Sequence, residues 1–161
     1  MDWIAELGTA NATVEAWISG MAPARWLEPG AGGWTNKDLL GHLTAWSDLL
    51  MDQVTALQQE RPESIDAVDV DAWNADQVAR RRSSTVEETI AAWRQAVQRA
   101  DDAIRNLPPE IRARRWHVAW SAQPVCMDDL LGLWLLHLGQ HRSRMAGPLA
   151  QRGAGRTRGQ S

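Results

Sequence analysis

The sequence predicts an all-α fold: a four-helix bundle with at least one long crossover connection and a short extra helix between the second and third long helices. Apolar residues recur at spacings of three and four in four long segments, and no segment sustains the alternation of a strand. The connections after the second and third long segments are longer than a series of simple helical hairpins needs, and this favours a crossover.

The first long helix is predicted from Trp3 to Met21. Its inward stripe follows one helix face and consists of Trp3, Leu7, Ala10, Val14, Trp17 and Met21. The segment from residue 22 to residue 33 contains two prolines and three glycines, so it is predicted to be a loop.

The second helix is predicted over about Asn36 to Gln59. Thr35 can cap it, with Asp38 three residues later to complete a capping box. Trp34 and Leu39 stand where a hydrophobic staple would form. The stripe then runs through Leu39, Leu43, Trp46, Leu49, Leu50, Val54 and Leu57.

A short helix is predicted from Ala72 to Arg82, with Trp73 and Val78 turned inward, after an acidic aperiodic stretch over residues 62–71. Two overlapping capping boxes precede the third long helix: Ser84 with Glu87, and Thr85 with Glu88. Its stripe ends before the pair of prolines at 108 and 109, and consists of Val86, Ile90, Trp93, Val97, Ala100 and Ile104.

Residues 112–121 alternate in polarity and are predicted to form either a short extended piece or an irregular crossover. The last helix is predicted from about Cys126 to Gly147, where Gly147 and Pro148 act as stop signals. Residues 1–150 are therefore taken as a single bundle domain. Residues 151–161 are taken as a flexible tail, because they offer almost nothing to bury.

Composition limits the class of partner. A length of 161 residues with 44% hydrophobic side chains suits one globular domain, and a net charge of -3 gives no field that attracts nucleic acid. Cys126 is the single cysteine, as a reducing compartment would allow. No membrane-spanning stretch or signal peptide is recognisable. We expect a cytoplasmic protein with a small-molecule partner.

Three histidines are predicted to converge from two helices. His137 and His141 lie four residues apart, on one face of the last helix, and His42 lies on the inward face of the second helix. Three imidazoles suit Zn, Ni, Fe or Cu and leave coordination positions open. The alternative is a set of neutral core histidines satisfied by hydrogen bonds. The Glu that follows the first histidine in zinc proteases is absent, which argues against that mechanism.

Other residues carry weaker hypotheses. Asp38 could orient His42, although capping explains it equally well. His117 is expected to be an exposed loop residue. Each long helix carries at least one tryptophan in its inward stripe. Four of them, one per helix, either line a pocket around the ion or fill the core, core packing being the simpler interpretation; these are Trp17, Trp46, Trp93 and Trp134.

The sequence resembles the DinB/YfiT-like superfamily of four-helix bundles. Residues 33–46, GWTNKDLLGHLTAW, are similar to its second-helix signature, in which the histidine is a metal ligand, and His137 and His141 match its last-helix HxxxH pair. Residues 71–75, DAWNA, followed by 84–88, STVEE, resemble the ClbS/DfsB-like and mycothiol-dependent maleylpyruvate isomerase-like branches, with Trp73 before Asn74. The resemblance covers residues 1–150.

The resemblance implies a three-histidine site for a divalent ion (Zn, Ni or Fe), in a family whose members are often dimers. Its members include thiol S-transferases, thiol-dependent isomerases and a hydrolase that protects against colibactin. A low-molecular-weight thiol is therefore a further candidate cofactor. We assign His42, His137 and His141 as metal ligands, and Trp46, Trp73, Asn74 and Trp134 as candidate substrate-pocket residues.

Two classes of function follow from this assignment. The first is a metal-dependent enzyme of detoxification, either a thiol S-transferase or a hydrolase, that acts on small electrophilic or toxic compounds. The second is a non-catalytic stress protein that binds a ligand or metal. Membership of a fold does not choose between them.

Overall fold

The computed structural model describes residues 2–30, 33–62 and 69–154, with the backbone alone for 142–144 and 146–154. Six α-helices are present in this part of the chain, together with a short 3-10 helix at Pro23–Leu27. Within the described residues the extended structure amounts to two isolated bridges, Pro29 with Thr35 and Trp116 with Val125. The helices are α1 (Trp3–Gly20), α2 (Asn36–Gln58), α3 (Val70–Arg80), α4 (Val86–Arg105), α5 (Pro109–Ala113) and α6 (Met127–Ala154).

The four long helices form the predicted four-helix bundle. Helix α1 packs against α4 and α6, and α2 packs against the same two helices. Helices α1 and α2, consecutive among the long helices, are therefore diagonal to one another, and the chain crosses the bundle between them. Helices α4 and α6 are diagonal as well, so the predicted crossover is confirmed in the connection after the third long helix. The connection after the second joins the neighbouring helices α2 and α4 and is no crossover. Helix α3, which packs on α2, is the predicted extra helix.

A single hydrophobic core fills the bundle. The predicted stripes supply it, and residues from all four long helices are fully buried there, among them Trp17, Leu43, Trp93 and Leu131. Complete burial of side chains of this size stabilises the fold by about 1.5–3 kcal/mol each, before the conformational entropy cost is subtracted.

Side-chain caps fix where α2 and α4 begin. Thr35 and Asp38 form the predicted capping box, and Thr85 and Glu88 form the one that starts α4. The buried Lys37 ammonium donates to two backbone carbonyls in the turn between α3 and α4, at 2.9 and 2.7 Å. The first turn of α2 is thereby joined to the connection that leads into α4.

Several predicted boundaries differ from the structure. Helix α3 begins two residues earlier than predicted, because Asp69 caps it by accepting from Ala72 N. It also ends two residues earlier, at Arg80. Pro23–Leu27 and Pro109–Ala113 are short helices inside segments predicted to be irregular. Both have proline at the first helical position, which suits a helix start, but five residues are too few to show a period.

The predicted end of the last helix at Gly147 is wrong. Helix α6 continues through Gly147 and Pro148 to Ala154. A proline inside a helix removes one backbone hydrogen bond, and a helix can accommodate that loss without ending. Residues 151–154 of the predicted tail are thus helical. Residues 155–161 of that tail, and residues 63–68 of the acidic stretch, lie outside the described residues.

None of the described helices is long and apolar enough to cross a membrane.

We predict that Thr35→Ala lowers the free energy of unfolding by about 1 kcal/mol, because the backbone N–H of Asp38 loses its acceptor. Urea unfolding measures the change. The exposed Thr55, in the last turn of the same helix, provides the control, since Thr55→Ala should stay within about 0.5 kcal/mol of the parent. Equal losses in both variants would contradict the capping role.

Candidate metal centre

The packing of α2 against α6 brings the three histidines together. His42 lies two turns into α2, on the face that also buries Leu39 and Leu43, and is only 2% exposed. His137 and His141 lie on successive turns of α6. The register set by the Thr35 cap therefore places His42 opposite the HxxxH pair.

The three rings converge to within the reach of one ion. One ligand nitrogen from each of His42, His137 and His141 lies within 4.8 Å of the other two. His42 Nε2 and His141 Nε2 are 3.2 Å apart. Nitrogen ligands on a tetrahedral ion, each about 2.0–2.1 Å from the metal, lie about 3.3 Å from one another. The predicted convergence is confirmed.

Burial keeps the His137 imidazole neutral. It lowers the pKa of His137 to about 4, and the neighbouring His141 lowers it further. At neutral pH a ring nitrogen of His137 consequently carries a free lone pair, which is the form that binds metal.

His137 fits a metal ligand better than a satisfied core histidine, whereas the 3.2 Å between His42 Nε2 and His141 Nε2 is also a hydrogen-bond distance. His137 Nε2 is buried and has no hydrogen-bond partner among the described residues. An unpaired buried polar atom costs about 1–3 kcal/mol, and a metal ligand bond removes that cost. The three histidines are the one cluster of potential ligands in the described part of the chain.

Tryptophans surround the cluster. Trp134 stacks on His137 with ring centroids 5.7 Å apart, and Trp46 lies 5.1 Å from the same ring. Trp34, just before the α2 cap, packs 4.9 Å from His42. The predicted staple role gave no hint of this contact; in the structure the Trp34 carbonyl accepts from the Gly30 N–H at 2.8 Å.

A cavity of about 360 Å³ opens beside His137, within the range of small-molecule sites. Trp46 and Trp134, two of the four candidate pocket residues, line it. Trp73 and Asn74 lie behind Trp46 instead: the Trp73 ring is 4.9 Å from that of Trp46, and Asn74 Oδ1 accepts from Trp46 Nε1 at 2.9 Å. Trp120 also lines the cavity, and no sequence pattern predicted that position for it.

The weaker hypotheses are also resolved. Asp38 bonds Thr35 through both the backbone N–H and the hydroxyl, so capping accounts for its carboxylate. His117 is exposed, as predicted. Trp17 and Trp93 fill the core with 1% and 0% exposure, whereas the other two stripe tryptophans line the cavity.

Comparison with protein families gives a match to the DinB superfamily over residues 6–145. The chain belongs to the DinB superfamily. The resemblance of the sequence to this superfamily is thereby confirmed, and the match includes all three histidines.

Two solved structures share the DinB fold seen here. One is YfiT from Bacillus subtilis, described as a probable metal-dependent hydrolase with an unusual four-helix bundle topology; its TM-score is 0.71 at 19% identity, over 94% of this chain and 86% of YfiT. The other is the mycothiol-dependent maleylpyruvate isomerase, with a TM-score of 0.75 at 14% identity over 89% of this chain. This DinB chain spans 59% of the isomerase's length. No curated protein sequence matches it.

We predict that Asn74→Ala destabilises this DinB protein by about 1 kcal/mol or more, because the indole N–H of Trp46 loses its acceptor in a half-buried position. Urea unfolding and near-ultraviolet circular dichroism measure the loss and the freed indole. Asn74→Asp keeps the acceptor and should stay close to the parent. If the two variants behave alike, the hydrogen bond does not hold Trp46.

Proposed function

We propose that this protein is a metal-dependent enzyme that acts on small electrophilic compounds. The observation that carries the proposal is the approach of three imidazole nitrogens to within 4.8 Å beside a cavity of about 360 Å³. His42, His137 and His141 would hold a divalent ion, Zn, Ni or Fe. Such an ion supplies Lewis acidity, which acidifies water or a thiol at neutral pH.

The chain's own residues perform three tasks in this proposal. His137 presents a neutral ring nitrogen, because burial keeps it unprotonated. Trp46 and Trp134 pack on the His137 ring and keep water from its faces. Gln53 and Gln140 are the neutral polar groups of the cavity wall, and their amides can both donate to and accept from a bound molecule.

Hydrolysis and thiol transfer are both compatible with this site. YfiT, the neighbour matched over most of its length, is described as a probable metal-dependent hydrolase, and the isomerase is mycothiol-dependent. In a transfer the thiolate sulfur bonds to the electrophilic carbon and the leaving group departs. In hydrolysis the oxygen of water forms that bond instead.

A non-catalytic binding protein is the second candidate. The described residues that line the cavity include no carboxylate, and its one histidine, His137, is assigned here as a metal ligand, so no further general base lies in its wall. A protein that binds a ligand or sequesters a metal would need none. We expect a cytoplasmic location and a role in detoxification for either candidate, and propose a homodimer as the assembly.

Metal binding provides the first test. We predict one zinc or nickel ion per chain, with His137→Ala lowering the affinity at least about a hundredfold, since loss of a ligand exceeds the 10–100-fold cost of losing an outer partner. Competition with a chromophoric chelator measures the affinity. His117→Ala removes an exposed histidine and should leave it unchanged. Parent protein that holds no ion would overturn the metal site.

Turnover separates the candidate functions. We predict that the metal-loaded protein accelerates the loss of 1-chloro-2,4-dinitrobenzene with bacillithiol, mycothiol or glutathione, or the thiol-free hydrolysis of 4-nitrophenyl acetate. Absorbance follows both reactions, and the dependence on thiol assigns the class. His137→Ala should abolish the rate while His117→Ala retains it. A loaded protein inactive towards both compounds would support the non-catalytic candidate.

A further inference from the structure

The cavity beside His137 has an almost wholly apolar wall. Three helices and the α5–α6 connection contribute to it, and Leu133 and Leu136 at its rim are 51% and 60% exposed. A contiguous exposed apolar patch is typical of a ligand-binding or interaction site. The hydrophobic lining residues are Trp46, Leu49, Leu50, Val70, Trp120, Leu130, Leu133, Trp134 and Leu136.

The described residues that line this cavity include no aspartate, glutamate, lysine or arginine. Its polar members are the amides of Gln53 and Gln140 and the imidazole of His137. Gln53 is half-buried and Gln140 is exposed near the mouth. An anionic ligand would lose hydration on entry and meet no lysine or arginine among these residues in return, so that only the divalent ion of the proposed function could offset the loss. An uncharged ligand avoids that penalty, and the two amides can still satisfy one or two of its polar atoms.

The tryptophan walls favour flat rings. Trp46 is held between His137 and α3, and its N–H is already bonded to Asn74. Its polar atom is therefore unavailable to a ligand, and the part of Trp46 that faces the cavity is the apolar indole. Aromatic rings pack well on such a surface in offset or edge-to-face arrangements.

We propose that the substrate of this site is an uncharged, largely apolar molecule with an aromatic ring, and that Leu133 is a specificity-determining residue at the cavity rim. That this molecule is a substrate rests on the proposed enzymatic function. The preference for an uncharged ligand rests on the cavity alone.

Two probes with the same ring test the preference. 2-Naphthalenemethanol is neutral, 2-naphthalenesulfonate is anionic, and both are weak metal ligands. Isothermal titration into the protein as purified, with the metal content of the same sample determined, should show at least tenfold tighter binding of the alcohol. Equal or tighter binding of the sulfonate would overturn the inference. So would binding of neither probe, as expected if a second copy of the chain covers Leu133 and Leu136.

Variants locate the effect. Leu133→Lys adds a cation at the rim and should lower the alcohol-to-sulfonate affinity ratio at least tenfold. Leu27→Lys makes the same change at a 62% exposed leucine outside the cavity, and should leave the ratio unchanged. An unaltered ratio in Leu133→Lys would place the probe elsewhere and overturn the inference.

The result stands apart from the metal-dependent function. A sample without metal that still prefers the alcohol keeps the inference and counts against a metal enzyme. A sample that holds metal but binds the sulfonate equally well overturns the inference and leaves the metal-dependent function standing.

Discussion

The close packing of α2 on α6 is the constraint on which the site depends. It places His42 Nε2 3.2 Å from His141 Nε2 and the His137 ring beside both. Two imidazole lone pairs at that distance repel one another unless a proton or cation lies between them. The capping box and the core stripe of α2 maintain this arrangement, so the stability of the bundle and the chemistry of the site have a common origin.

Long periodic helices could be predicted from the sequence because each carries several repeats of one stripe and a recognisable cap. Helix α2 begins at Asn36, as predicted, because the side chains of Thr35 and Asp38 each accept a hydrogen bond from the other residue's backbone N–H across the first turn. Short elements such as Pro109–Ala113 have no period to recognise. The predicted end of α6 was wrong because Gly147 and Pro148 are only statistical stop signals, and a helix can continue past them.

The convergence of the three histidines was predictable for the same reason as the helices. The spacing of His137 and His141 and the stripe position of His42 fix their directions from local geometry alone. The cavity wall depends instead on contacts between distant segments. Trp120 reaches the cavity from an irregular connection, and Asn74 approaches Trp46 only because α3 folds back on α2. No local pattern in the sequence encodes such contacts.

The position of α3 has an evolutionary consequence. This helix packs on α2 outside the ring of four long helices, and Val78 is its one buried side chain. Mutations at the exposed positions of α3 can therefore accumulate at little cost to the bundle, whereas a change at Asn74 lowers stability and alters how Trp46 is held beside the histidines. During evolution, substitutions on α3 could change the wall beside the histidines while the three histidines themselves are inherited unchanged.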